Sequence, residues 1–345
     1  MDFSNSLLDW YQANKRDLPW RNTTEPYLIW LSEIMLQQTR VAQGLPYFMA
    51  FTAAFPTVFD LAKANEEQVL KLWQGLGYYS RARNMHQTAR IIVEEFDGNF
   101  PPLYKDLLQL KGIGEYTAAA IASFSFDEAV PVVDGNVFRV LSRCFGITTD
   151  ISNSTAKKEF AALAKTLMPD AQAALFNQAI MEFGALQCAP KNPNCEQCVF
   201  NTGCVALQQK KVAELPVKTK KTKVSNRYFN YLIFLDHKAQ TIIRKRTEKG
   251  IWHNLYEFPM IESMEELSYE ILTEELHKKY PKKIIESISY YNEEQIIHKL
   301  SHQKLHIRFY RVALNQEISD GVSLEKIKKY PFPVVIYNFI EKYSI

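Results

Sequence analysis

Four of the chain's five cysteines, Cys188, Cys195, Cys198 and Cys204, form a C-x6-C-x2-C-x5-C array within seventeen residues, leaving only Cys144 apart. Apolar packing gives no reason for the polar, Pro- and Asn-containing stretch 189–194 to separate buried thiols, so the array reads as the ligand set of one inorganic centre. Disulfide frameworks suit shorter chains and spread their cysteines more widely. A single C-x2-C with unequal flanking gaps favours one long loop wrapped around a cubane iron–sulfur cluster, and zinc, which prefers paired knuckles, is the rival.

A chain of 345 residues with 47% hydrophobic content has room for two domains or more. No basic stretch followed by an apolar run stands at the N-terminus, and the longest apolar runs are far too short for a bilayer. The expectation is a protein of a reducing compartment, the cytoplasm, without a membrane partner. A formal charge of +3 does not by itself announce nucleic acid. Its distribution says more, because Lys210, Lys211, Lys218, Lys220, Lys221 and Lys223 gather beside Pro216 in a segment without an apolar stripe. That segment reads as a solvated linker or as a linker that also touches phosphates.

Up to about Cys204 the apolar spacing is helical, over 6–11, 26–38, 66–73, 81–96, 117–124, 137–145 and 155–167. Beyond the lysines, strand-like runs at 228–235, 241–244, 284–291, 296–300 and 305–314 are interrupted by helical patterns at 264–280 and 334–343. The fold class is therefore multidomain, an all-α region followed by an α+β domain.

Three local signals carry chemistry. In the first, Leu110, Lys111, Gly112, Ile113, Gly114, Glu115 and Tyr116 join two helical patterns through glycines one residue apart, as a helix-hairpin-helix does. Gly112 and Gly114 permit the tight turn and leave backbone N–H groups free for a phosphate, and a plain interhelical turn plugged by Ile113 is the alternative. In the second, Val133, Asp134, Gly135, Asn136 and Val137 place a carboxylate where an extended stretch meets a new helix. Asp134 reads as an N-cap, and a carboxylate held by cap bonds stays ionised and can face a developing cation. In the third, Glu33 shares a helical face with Ile29, Trp30 and Leu36. Desolvation there raises its pKa and suits it to act as a general acid, whereas on an exposed face it would be an ordinary surface residue.

Together with Arg16 to Arg21, Ser32 to Thr39, Gly75 to Arg81 and the cysteine array, these motifs closely resemble the adenine DNA glycosylases, the MutY family of the helix-hairpin-helix, endonuclease III superfamily. The resemblance covers roughly residues 10 to 205. It implies a helical catalytic region over 1–210, comprising a six-helix barrel module of about 22–125 and an iron–sulfur module of about 1–21 and 126–210 that holds a [4Fe-4S] cluster on Cys188, Cys195, Cys198 and Cys204. A basic linker, 211–226, and a Nudix-like 8-oxoguanine recognition domain, 227–345, would follow.

The activity implied is hydrolysis of the N-glycosidic bond of adenine mispaired with 8-oxoguanine or G in double-stranded DNA, by a monomer, in base excision repair. Glu33 would protonate adenine N7. Asp134, helped by Asn136, would face the oxocarbenium-like sugar. Tyr116 stands where bifunctional relatives carry a Schiff-base lysine, so lyase activity is not expected. Gln38 and Tyr78 match the family's wedge residues, with Thr39 and Leu76 beside them on the opposite base. Arg21 and Glu182 would read the adenine edge or form a structural ion pair. Residues 249–259 resemble a Nudix domain, yet the acidic residues Glu265, Glu266, Glu270, Glu274 and Glu275 lack the magnesium-binding R-E-x-x-E-E run. Leu300, Ser301 and His302 match an F-S-H loop that reads 8-oxoguanine, with leucine in place of phenylalanine. The competing readings are a bifunctional glycosylase/lyase, a relative removing thymine from G:T pairs, a noncatalytic iron–sulfur DNA-binding protein, and an electron carrier.

Overall fold

The computed structural model describes residues 2–220 and 223–343 and divides into two compact units, Met1–Lys63 with Asn84–Lys220, and Ala64–Arg83 with Lys221–Ile345. Lys221 of the basic segment lies outside the described residues. Of the three boundaries, the one near residue 220 coincides with the lysine-rich stretch, the one at 63/64 follows the Val58–Lys63 helix, and the one at 83/84 falls inside the Ser80–Phe96 helix.

The first unit is helical. Pro26–Leu36 starts with proline at its first position, where a missing N–H costs nothing, and seven consecutive residues from Ile29 to Met35 are buried. Apolar but for Ser32 and Glu33, it packs against Glu115–Phe126, whose Ala118, Ala119, Ala120 and Ala122 have no bulk to hold the backbones apart. A second core joins Phe3–Asn14, Gly135–Phe145 and Ala173–Leu186 through Leu7, Tyr11, Val140, Phe160, Phe176, Phe183 and Phe200. Gly184 makes the closest approach there, since a Cβ on it would stand 2.6 Å from Asn136 Cβ.

Besides the short helices Val58–Lys63, Tyr104–Leu107 and Val205–Gln208, two long ones are absent from the periodic patterns read above. Val41–Ala54 contains Gly44 and Pro46, which mask its period. Ala173–Leu186 is buried on most sides and so has no polar face to alternate with.

In the second unit the strand order is Met260–Ser263, Ser225–Leu235, Gln303–Leu314, Ile285–Tyr290, and Ile296–Lys299 also pairs with Gln303–Leu314. Ser225–Leu235 and Gln303–Leu314 run parallel, with Tyr231 opposite Phe309 and Leu232 opposite Tyr310. Parallel central strands are covered on both faces. Even-numbered Leu232, Phe234, Tyr310 and Val312 meet Leu272 and Leu276 of the Tyr269–Lys279 helix, while Phe309 stacks on Phe339 of Val334–Lys342 at 3.6 Å between ring centroids. The α+β character expected here is observed, with two local differences. The helix expected from 264 starts at Tyr269, because the Ser268 hydroxyl caps it by accepting from Ile271 N. The run 241–244 is split between the short strands Gln240–Thr241 and Arg244–Lys245, which pair with different partners.

The stretch read as a basic linker is tied to the first unit at its start: Arg143 donates to Leu215 O, Ile151 N donates to Val217 O, and Thr219 donates to Asp150. Among the described residues, no helix is long and apolar enough to cross a membrane.

Candidate active site

Glu33, buried on its helix, accepts a 2.6 Å hydrogen bond from the Tyr116 hydroxyl. Burial pushes its pKa up to about 7, and nearby Asp134 adds to this, while the Tyr116 bond and the charge of Arg21 pull the other way. Near neutrality Glu33 is therefore poised between acid and anion. Burial also drives the Tyr116 phenol well above its ordinary pKa, so it stays a neutral donor.

Asp134 is the N-cap of Gly135–Phe145. Its Oδ1 accepts from Asn136 N and Val137 N at 2.8 Å each, and its Oδ2 accepts from Asn136 Nδ2 at 2.7 Å. Burial raises its pKa above the usual carboxylate value, against these three bonds and the charge of Arg139. The bonds all favour the anion. Glu33, Tyr116, Asp134 and Asn136 line one cavity of about 540 Å³, together with Trp20, Ile29, Ser32, Leu36 and Gln178, a volume within the range of about 300–1,000 Å³ typical of small-molecule sites.

Arg21 and Glu182 border the same cavity and form an ion pair at 2.7 Å. The sequence did not single out Arg16, whose Nε and Nη2 donate to Glu182 at 2.7 and 2.6 Å, with its own backbone N adding a third bond at 3.0 Å. Burial opposes the charge on Glu182, yet the two arginines outweigh it and hold its pKa at about 2. Gln178, also missed, accepts from the buried Tyr11 hydroxyl at 2.9 Å. Arg139 links the cavity wall to the cysteine region. Its Nη2 donates to Asn136 Oδ1 and Gly184 O at 2.8 and 2.6 Å, and its Nε donates to Cys188 O at 2.7 Å. Its spacing of four from Arg143 on the helix that Asp134 caps was the available signal.

Gly112, at φ +76°, and Gly114 are exposed, while Ile113 between them is buried. A side chain on Gly112 would also strike Asn84 Cβ at 2.7 Å. The Glu115–Phe126 helix begins at Gly114 without a side-chain cap, so its first N–H groups face outward as an anion site requires. Gln38, exposed at φ +56°, and Thr39 follow the Glu33 helix, and Thr39 borders the cavity.

Leu76, Tyr78, Ser301 and His302 sit in the second unit. Leu76 is buried and Tyr78 is exposed. Ser301 and His302 stand at the tip of the hairpin joining Ile296–Lys299 to Gln303–Leu314, closed by Leu300 N donating to Gln303 O. Tyr78, Leu300, Ser301 and His302 line a cavity of about 560 Å³ with Trp252 and His298.

Cys188, Cys195, Cys198 and Cys204 converge on one cavity of the first unit, with Cys144, Arg143 and Phe183 around it. Arg143 Nη1 donates to Cys188 Sγ and Phe200 N to Cys198 Sγ, both at 3.4 Å. Among the described residues, no three His, Cys, Asp or Glu side chains are arranged to hold a single metal ion.

Residues 31–166 match the model of the HhH-GPD superfamily base excision DNA repair proteins, and residues 230–342 match the NUDIX domain. The adenine DNA glycosylase of Buchnera aphidicola subsp. Schizaphis graminum is 39% identical over 88% of this chain and 86% of that protein. The adenine DNA glycosylase of Homo sapiens is 46% identical over 60% of this chain and 40% of its own length. Among solved structures, a thermostable thymine-DNA glycosylase superposes with a TM-score of 0.55 at 29% identity, covering 60% of this chain and 95% of that one. A trapped endonuclease III–DNA covalent intermediate, at TM-score 0.53 and 19% identity over 60% of this chain and 94% of that one, shares the fold.

Proposed function

We propose, since this chain belongs to the adenine DNA glycosylase family, that it excises adenine mispaired with 8-oxoguanine or G from double-stranded DNA by hydrolysing the N-glycosidic bond. The observation that carries this reading is the shared cavity of Glu33 and Asp134, one group poised to hold a proton and the other capped as an anion.

Adenine is a poor leaving group until it is protonated, so excision needs an acid on the base and an anion facing the sugar. The extruded base enters the cavity. Glu33 delivers its proton to N7, and Tyr116 keeps the carboxyl oriented through its hydroxyl. As the bond to the base lengthens, Asp134 stabilises or captures the oxocarbenium-like carbon, held in place by Asn136 and by its cap bonds. Glu33, now ionised, takes a proton from the attacking water. Tyr116 offers no amine, so no Schiff base forms and the strand stays intact. Gln38 and Tyr78 serve as wedges in the vacated stack, with Thr39 and Leu76 beside the opposite base. Gly112 and Gly114 hold phosphate, and Ser301 and His302 read 8-oxoguanine. The Arg16–Glu182–Arg21 cluster shapes the base pocket. The cytoplasm, a reducing compartment, keeps the four thiols of the array available as ligands.

The donor set of four thiols around one cavity, with N–H groups already directed at two sulfurs, fits a [4Fe-4S] cluster on Cys188, Cys195, Cys198 and Cys204. Bound, such a cluster cross-links residues 188–204 through iron–thiolate bonds.

Duplexes carrying A opposite 8-oxoguanine, A opposite G and T opposite G, incubated with the protein and then with alkali, test the reading. Breaks at adenine on the first two, appearing only after alkali, are expected. Breaks without alkali, or preferential cleavage at thymine, would contradict it.

A further inference from the structure

The loop carrying Tyr78 is held in a conformation that its sequence disfavours. Tyr78 lies at φ +48°, in the left-handed region, after Gly75 at +102° and Gly77 at +75°. A bulky residue persists there only where its surroundings over-determine it. They do: Trp73 Nε1 donates to Gly77 O at 2.9 Å, and Arg81 Nη2 donates to the same oxygen at 3.1 Å and to Leu76 O at 3.3 Å. The Arg81 guanidinium also lies 5.1 Å from the Trp73 ring and 5.4 Å from the Tyr78 ring, so one planar cation spans both aromatics and both carbonyls. At the far end of the tyrosine, its hydroxyl meets Ser301 Oγ at 2.5 Å.

We propose that Arg81 is a positioning residue for discrimination of the base opposite adenine: it sets Tyr78, and the Tyr78 hydroxyl in turn orients Ser301 on the hairpin tip. This rests on the reading of Tyr78 and Ser301 given above. A serine hydroxyl rotates freely unless a neighbour commits it, and it then presents either a proton or a lone pair to a base edge. Guanine offers an acceptor at N7, whereas 8-oxoguanine carries an N–H there, so the orientation of one hydroxyl separates the two bases. Either oxygen of the Tyr78–Ser301 pair can be the donor, and with Ser301 donating to the phenol its lone pairs are left for the N–H of 8-oxoguanine.

The test compares single-turnover adenine release from A:8-oxoguanine and A:G duplexes for the full chain and its variants. Arg81→Lys keeps the charge but loses the planar fork, and the ratio of the two rates falls by roughly fivefold or more, as does that of Tyr78→Phe. Tyr78→Phe combined with Ser301→Ala falls no further than Ser301→Ala alone, as residues acting through one contact must. An unchanged ratio in Arg81→Lys, or equal losses on both duplexes, overturns the proposal. Should Arg81→Lys fail to fold, additive losses in the Tyr78 and Ser301 cycle overturn it instead. Wild-type protein releasing no adenine from either duplex would remove the functional reading itself, an outcome distinct from an altered ratio.

Discussion

Glu33→Gln is expected to bind a mispaired duplex normally and to release adenine about 10²–10⁴-fold more slowly, the span typical of a lost general acid. The substitution keeps the shape of the side chain and an oxygen for the Tyr116 hydroxyl, which now donates at 2.6 Å. It removes the one acidic proton in the cavity that burial makes available near pH 7. The loss therefore falls on the chemical step rather than on affinity. Gel-shift titration together with single-turnover release separates the two, and near-normal turnover by Glu33→Gln would rule out the acid role. The stability effect has the opposite sign. A folded pKa of about 7, above the ordinary 4.5, means that the contribution of Glu33 to stability is full below pH 4.5 and is lost as pH rises through about 7. The amide variant escapes that penalty at alkaline pH.

Cys198→Ser carries the second large effect. Cys198 lines the cavity shared by Cys188, Cys195 and Cys204 and accepts from Phe200 N through its sulfur. Around it stand Phe183 and Phe200 of the core that also holds Phe3–Asn14 and Gly135–Phe145. If the four thiols hold the proposed cluster, losing one of them loosens the loop and that core together, because metal binding and folding draw on the same free energy. Iron per chain is expected to fall well below that of the wild type, and the melting temperature by about 10 °C, corresponding to a loss of about 3 kcal/mol. Elemental analysis and calorimetry check both, and full iron retention would contradict the ligand assignment.

Much of the candidate site's local geometry was legible because its signals are local. An Asp followed by Gly, Asn and an apolar helical period announces an N-cap, and the cap bonds of Asp134 reach only residues 136 and 137. An acid on a helix with apolar residues at every neighbouring turn is a buried acid wherever that helix packs on both sides, as the Pro26–Leu36 helix does. Contacts between distant residues were not legible. Arg16 meets Glu182 across 166 positions, and nothing in either segment names the other. The Ala173–Leu186 helix, which carries Glu182 and Gln178, lacks a polar face, so periodicity passes over it. Composition marked the lysine-rich stretch as a boundary, yet it could not assign 64–83 to the same compact unit as 221–345, because helical spacing records which face is buried and not what buries it.

The pH dependence of single-turnover adenine release bears most directly on a protonated Glu33 acting beside an ionised Asp134. A general acid with a pKa of about 7 holds the rate level just below neutrality and lowers it about tenfold per pH unit above, with the break absent from the residual activity of Glu33→Gln. A wild-type rate that stays flat from pH 6 to about pH 9, or a break that survives in Glu33→Gln, would contradict the account.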